Sequence, residues 1–156
     1  MPQIDQNSEM KILFICRSNV GRSQMASALF NKVAPGCEVK SAGIQVMDKD
    51  GNSRDGQKLK DLSAAEHVIG VLKEEGIDAE EFVRRQLTPE MAEWADKIVV
   101  MAEPETIPDY LKDSPKIAYW DVKDPKGTSF EIHRETKEKI KELVNELRYS
   151  VNNGMG

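Results

Sequence analysis

Apolar residues in this chain fall into short unbroken runs, separated by stretches in which they return every three or four positions. Residues 11 to 15 (KILFI) form a run of the length expected for a strand buried on both faces. From Arg22 onward, Met25, Ala26, Leu29, Phe30 and Val33 recur at helical spacing until Pro35 and Gly36 interrupt, which predicts a helix of about three turns. Residues 38 to 42 read as a second strand ended by Gly43, and residues 44 to 61 as a long polar loop. Ser63 and Glu66 fit a capping box. Ala64, Val68, Val71 and Leu72 then share a helical face up to Gly76, a residue suited to a left-handed stop. Thr88, Pro89 and Glu90 supply a cap, a first-turn proline and an acid for a short helix ending near Ala95. Residues 97 to 101 predict a third strand, 103 to 111 a short helix and 116 to 119 a fourth strand. Ile140, Leu143, Val144, Leu147 and Val151 mark the buried stripe of a charged C-terminal helix.

Strands alternating with helices imply right-handed crossovers. The expected fold is therefore α/β, a three-layer αβα sandwich around a four-stranded parallel sheet. Residues 10 to 151 form one expected domain, with polar tails over 1 to 9 and 152 to 156. Such sheets gather ligands at the carboxyl ends of their strands, so the turn after Ile15 is where chemistry is expected.

Composition narrows the function. At 156 residues, 39% hydrophobic and 31% charged, the chain supports one core, and no apolar run is long enough to span a membrane. Twenty-two basic against 27 acidic side chains leave a formal charge of −5, which argues against nucleic acid as a partner but not against a small anion captured locally. The two cysteines, Cys16 and Cys37, are too few for a disulfide scaffold, and the N-terminal residues lack the features of a secretory signal. A cytoplasmic protein is expected, in which a reduced thiol can serve as nucleophile.

Between the first strand and the first helix lies Cys16-Arg17-Ser18-Asn19-Val20-Gly21-Arg22-Ser23. A loop of this length can wrap the backbone N-H groups of residues 17 to 21 around a tetrahedral oxyanion. The helix dipole adds positive potential, and Arg22 offers a two-pronged fork. The same field favours Cys16 as thiolate, Ser23 can donate its hydroxyl to that sulfur, and Asn19 tolerates a left-handed bend. After the fourth strand, Asp124-Pro125 places an acid on a fixed loop at the same sheet edge, where it can protonate a leaving oxygen and later activate water. His67 and His133 read as too isolated for a metal site, and as solvent-facing or satisfied by hydrogen bonds. Residues 137 to 141 read as a solvated helix face, and Trp94 and Trp120 as core or rim aromatics, Trp120 also being a candidate for the pocket wall. No metal or cofactor is expected.

With these residues in place, the sequence resembles the low-molecular-weight protein tyrosine phosphatase family, which includes related arsenate reductases. The likeness rests on Cys16 to Ser23 after the first strand, Ser41-Ala42-Gly43 after the second, Arg85-Gln86-Leu87-Thr88, Val99-Val100-Met101 and Asp124-Pro125. It implies a cysteinyl-phosphate on Cys16, Arg22 as phosphate clamp, Asn19 as loop organiser, Ser23 as thiolate partner and Asp124 as general acid. The implied partners are phosphorylated proteins or small aryl phosphates, and phosphate or similar oxyanions. Ser18 stands where the family usually has Gly, and Gly21 where it usually has a second Cys. Phe82 replaces a His that braces the loop Asn in some members, and Lys126-Gly127 replaces a Tyr pair.

Two other readings use the same loop. Arsenate is tetrahedral, but the thioredoxin-linked route needs two further cysteines after the third strand, and residues 102 to 120 contain none, so a reductase would borrow an external thiol. A pure binding module would need neither a thiol nor a proton donor.

Overall fold

The computed structural model describes residues 10–152, so the expected tail over residues 1 to 9 and all but the first residue of the C-terminal one lie outside the described part. The strands are β1 (Lys11–Cys16), β2 (Glu38–Gly43), β3 (Lys97–Val100) and β4 (Ile117–Tyr119). All pair in parallel, in the order β2-β1-β3-β4. The helices are α1 (Arg22–Val33), α2 (Glu66–Lys73), α3 (Pro89–Trp94), α4 (Asp109–Lys112) and α5 (Phe130–Asn152).

Strand β1 has a neighbour on each side, and alternate residues serve opposite layers. Ile12, Phe14 and Cys16 join the core formed with Met25, Phe30, Leu72 and Ile140, whereas Leu13 and Ile15 join Ala42, Ile98, Val100 and Leu111 on the other face. This is the three-layer sandwich expected. Trp120, partly buried, packs its ring 5.7 Å from that of Phe14, against the first of these cores.

Several local expectations shift. Residues 63 to 65 form a 3₁₀ turn, α2 begins at Glu66 and Ser63 makes no cap bond. The Ala65 N-H already bonds the Leu62 carbonyl in the tightened turn, and the changed phase exposes Ala64 while burying Ala65. Gly76 does adopt the left-handed stop, with φ of 79°. Thr88 Oγ1 caps α3 by accepting the Met91 N-H at 3.3 Å. The helix expected over residues 103 to 111 is broken into a 3₁₀ turn (Pro104–Thr106) and α4, because Pro108 forces Ile107 to an extended ψ of 148°.

Lys137, read as solvated, is 3% exposed. α5 crosses the end of α2, and the ammonium bonds Glu75 at 2.8 Å and Glu138 at 3.0 Å. Burial would raise the Glu75 carboxyl, but hydrogen bonds from Lys137 and Lys141 outweigh it and hold the group below the usual range. The long loop is tied down by bridges between Met47 and Ser53 and between Lys58 and Val83. No helix among the described residues is long and apolar enough to cross a membrane.

Candidate active site

Cys16 ends β1, and residues 17 to 21 curl at the carboxyl edge of the sheet before Arg22 starts α1. The curl depends on Asn19, which takes a left-handed φ of 56° and is fully buried. Its Nδ2 donates to Ser23 Oγ at 2.7 Å and to Ser41 Oγ at 3.0 Å. Its Oδ1 accepts the Arg85 N-H at 2.8 Å and a Gln24 amide bond at 3.2 Å. Ser41, Gln24 and the Arg85 backbone thus brace Asn19 from three directions.

Cys16 Sγ lies 3.0 Å from Ser23 Oγ. Because Asn19 Nδ2 can only donate, it occupies an acceptor site on that hydroxyl and leaves the hydroxyl proton to point at the sulfur. Arg22 is 2% exposed. Its Nη1 donates to the carbonyls of Met101 at 2.5 Å and Val122 at 3.1 Å, so the residues just after β3 and β4 anchor one edge of the guanidinium. On the opposite edge, Nε is buried without a hydrogen-bond partner and Nη2 lies 3.6 Å from Asp124 Oδ2. A planar fork with one edge fixed and the other open suits two oxygens of an oxyanion.

Asp124 is partly exposed, and its Oδ1 accepts the Lys126 N-H at 3.0 Å. Its loop is tied to the start of α5: the Thr128 hydroxyl donates to the Pro125 carbonyl, and His133 Nδ1 lies 2.9 Å from the Ser129 carbonyl oxygen. His67 and His133 are not isolated, since their rings sit 5.0 Å apart across the junction of α2 and α5. Among the described residues no group of three or more His, Cys, Asp or Glu is placed to hold a metal ion.

These elements enclose a cavity of about 630 Å³ bordered by Cys16, Ser18, Val20, Gly21, Arg22 and Asp124, with Met47, Leu62 and Val68 among its apolar walls. Of the residues expected to bind substrate, Asn19 and Ser23 turn their side chains behind the loop as supports. Arg17 is exposed and donates to Gln45 Oε1 at 3.3 Å, outside the cavity lining.

Two participants escaped the sequence reading. Arg84, 4% exposed, donates through Nε and Nη2 to the Ser18 carbonyl at 3.2 and 3.1 Å, and through Nη1 to Gln57 Oε1 at 2.7 Å. The signal available was the doubled arginine just before Gln86-Leu87-Thr88, since alternation on an extended segment sends one of the pair inward. Gly43 reads in the sequence as a strand end and as part of the Ser41-Ala42-Gly43 motif, without a packing role. It lies flat against the loop backbone, where a Cβ would come within 2.8 Å of Asn19 N.

The sequence model of the family described as low molecular weight phosphotyrosine protein phosphatase matches residues 11–155. A protein-arginine-phosphatase of Geobacillus stearothermophilus is 33% identical over 150 residues, covering 88% of this chain and 93% of its own. The low molecular weight protein-tyrosine-phosphatase Etp of Escherichia coli K12 is 33% identical over 117 residues, covering 75% of this chain and 68% of its own. Among solved structures, the YwlE arginine phosphatase from Geobacillus stearothermophilus superposes with a TM-score of 0.76 at 30% identity, covering 93% of this chain and 94% of that one.

Proposed function

The chain belongs to the low molecular weight phosphotyrosine protein phosphatase family and is a cysteine-dependent phosphatase, and from that premise we propose that it hydrolyses phosphotyrosine in proteins, or small aryl phosphates, through a phosphate held on Cys16. Cys16 Sγ attacks phosphorus in line with the leaving oxygen, so that an S-P bond forms as the P-O bond breaks. Asp124 gives its proton to that oxygen. Water then attacks the phosphorus and Asp124 takes its proton. The S-P bond breaks, and the Ser23 hydroxyl receives the returning thiolate through a hydrogen bond. Arg22 holds two phosphate oxygens with Nε and Nη2 throughout.

One observation carries this reading: a single cavity is bordered both by a sulfur 3.0 Å from a hydroxyl and by a guanidinium whose Nε is buried and unpartnered. Asn19, Val20 and Gly21 supply the remaining loop framework. A reducing compartment such as the cytoplasm suits a mechanism that needs Cys16 reduced.

A second substrate chemistry is suggested by a relative 33% identical over 88% of this chain, a protein-arginine-phosphatase. The same steps serve a P-N bond if Asp124 protonates nitrogen. Arsenate reduction within the chain is disfavoured by geometry. Cys37 immediately precedes β2, while Cys16 pairs with Gly43 at the other end, an offset of roughly 20 Å at strand spacing, far beyond disulfide reach.

The test is one preparation assayed on phosphotyrosine and phosphoarginine peptides, on aryl phosphates, and on arsenate with glutathione, mycothiol or thioredoxin. We expect phosphate release that disappears in Cys16→Ser while phosphate or vanadate still binds. Undiminished hydrolysis in Cys16→Ser, or arsenite formation without phosphatase activity, ends the reading.

A further inference from the structure

The loop around Cys16 is gripped by a second buried guanidinium, that of Arg84, which also borders the cavity, and the way its donors are spent defines its role. Arg84 directs Nε and Nη2 at a single acceptor, the Ser18 carbonyl, and Nη1 at Gln57 Oε1. Each of its three nitrogens is therefore committed to protein oxygen, whereas Arg22 keeps Nε open. That difference separates a group that touches the oxyanion from one that shapes the site.

Arg84 is fixed before it acts. Its backbone N-H donates to the Gln57 carbonyl at 2.8 Å and its carbonyl accepts the Gly56 N-H at 2.7 Å, so main chain and side chain both clasp the same stretch of the long loop. A trans peptide plane holds its C=O and N-H in opposite directions. When two N-H groups draw the Ser18 oxygen outward, the Asn19 N-H is turned the opposite way. Ser18, unlike a glycine, has a Cβ and fewer accessible backbone states of its own, so this peptide is readily held in one orientation.

Resting on the phosphatase reading above, we propose that Arg84 is a positioning residue of the phosphate cradle. Clamped by Gln57, it turns the Ser18-Asn19 peptide so that the Asn19 N-H faces the oxyanion, and it thereby sets oxyanion affinity. This gives the loop over residues 44 to 61 a task, since its Gln57 supplies the clamp. Burial pushes the Arg84 guanidinium below its usual value, with Cys16 opposing that shift and Arg54 adding to it.

The test compares wild type, Arg84→Met, Arg84→Lys and Gln57→Ala. Inorganic phosphate affinity is read by calorimetry, which needs no turnover, and kcat and KM are measured on p-nitrophenyl and phenyl phosphate, with thermal midpoints alongside. We expect Arg84→Met to weaken phosphate about tenfold, the scale of one charge-assisted hydrogen bond. KM should rise with it, and the loss in kcat/KM should be equal for the two leaving groups. Arg84→Lys should fall between wild type and Arg84→Met, because an ammonium restores charge but not the fork. Gln57→Ala should shift phosphate affinity in the same direction by less. Phosphate affinity within twofold of wild type in a folded Arg84→Met variant overturns the proposal, as does full wild-type affinity in Arg84→Lys. If Arg84→Met does not fold, unchanged affinity in Gln57→Ala overturns it. Loss of Cys16-dependent turnover in wild type would instead strike the phosphatase reading, leaving the calorimetric result to stand.

Discussion

Adding one methyl group at Gly43 should disable the site more than it destabilises the fold. The Cβ of an alanine there would lie 2.8 Å from Asn19 N, 2.8 Å from Ser18 C and 2.7 Å from Val46 Cγ2. Ordinary contact begins near 3.4 Å, so the deficit is about 0.6 Å against two backbone atoms that cannot swing aside. Gly43 itself has little room to retreat, because its N-H bonds the Arg85 carbonyl and its carbonyl accepts the Leu87 N-H, each at 2.8 Å. The Cys16 loop must therefore move. A displacement of that size in a catalytic cradle costs roughly 10- to 100-fold in kcat/KM, and overpacking of this kind costs about 1–3 kcal/mol of stability. The assay is aryl phosphate hydrolysis beside thermal unfolding. Gly76→Ala is the control: its φ of 79° makes alanine strained by about 1 kcal/mol, but nothing lies within 4 Å and the position is remote from the cavity. Gly43→Ala and Gly76→Ala should lose comparable stability, and only the first should lose turnover. Folded Gly43→Ala with kcat/KM within threefold of wild type would show that the close approach does not shape the loop.

For Asp124→Ala, kcat should fall steeply with phenyl phosphate and much less with leaving groups that are already acidic, whereas a uniform loss would remove Asp124 from proton transfer. Glu75→Gln leaves the Lys137 ammonium, 3% exposed, without its shorter partner and should cost about 3 kcal/mol in chemical denaturation. Because the Glu75 carboxyl is held below its usual range, its contribution is present above that range and lost as pH falls through the folded value. The thermal midpoint of Glu75→Gln should accordingly vary less with acidification than that of wild type. Peroxide should drive Cys16 past the sulfenic state with no internal rescue, since Gly21 occupies the neighbouring position and Cys37 is remote. Mass spectrometry should find sulfinic acid on Cys16, and a Cys16-Cys37 disulfide would contradict the register.

What could be read from the sequence was local. The run at residues 11 to 15, the helical spacing after Arg22 and the interval from Cys16 to Arg22 each lie within about one element, and β1, α1 and the loop between them follow directly. Asp124 was found because a proline and a sheet edge mark its loop. The contacts that make the loop a cradle span far greater separations. Arg22 reaches carbonyls 79 and 100 residues away, and Arg84 reaches Ser18 across 66. No periodicity encodes which arginine of a pair turns inward against which carbonyl. The split helix at Pro108 differs in kind, since the restriction that a proline places on its predecessor was visible in the sequence and outweighs the apolar spacing around it. The pairing of His67 with His133 follows from α5 crossing α2, which neither helix announces alone.

The parallel arrangement explains why such distant residues converge at all. Every strand presents its carboxyl end at one edge, and each contributes there: β1 supplies Cys16, β2 supplies Ser41 and Gly43, and the residues just beyond β3 and β4 supply the Met101 and Val122 carbonyls that hold Arg22. Reversing the three-residue β4 alone would carry its contribution to the far end of that strand, roughly 10 Å away at strand spacing. Arg22 would then keep the Met101 carbonyl as the sole backbone anchor of its Nη1 edge, and a guanidinium held at one point instead of two would pay more orientational entropy at each binding event. The open Nε is useful because the opposite edge is immobile, and that immobility is a property of the sheet's direction before it is a property of the loop.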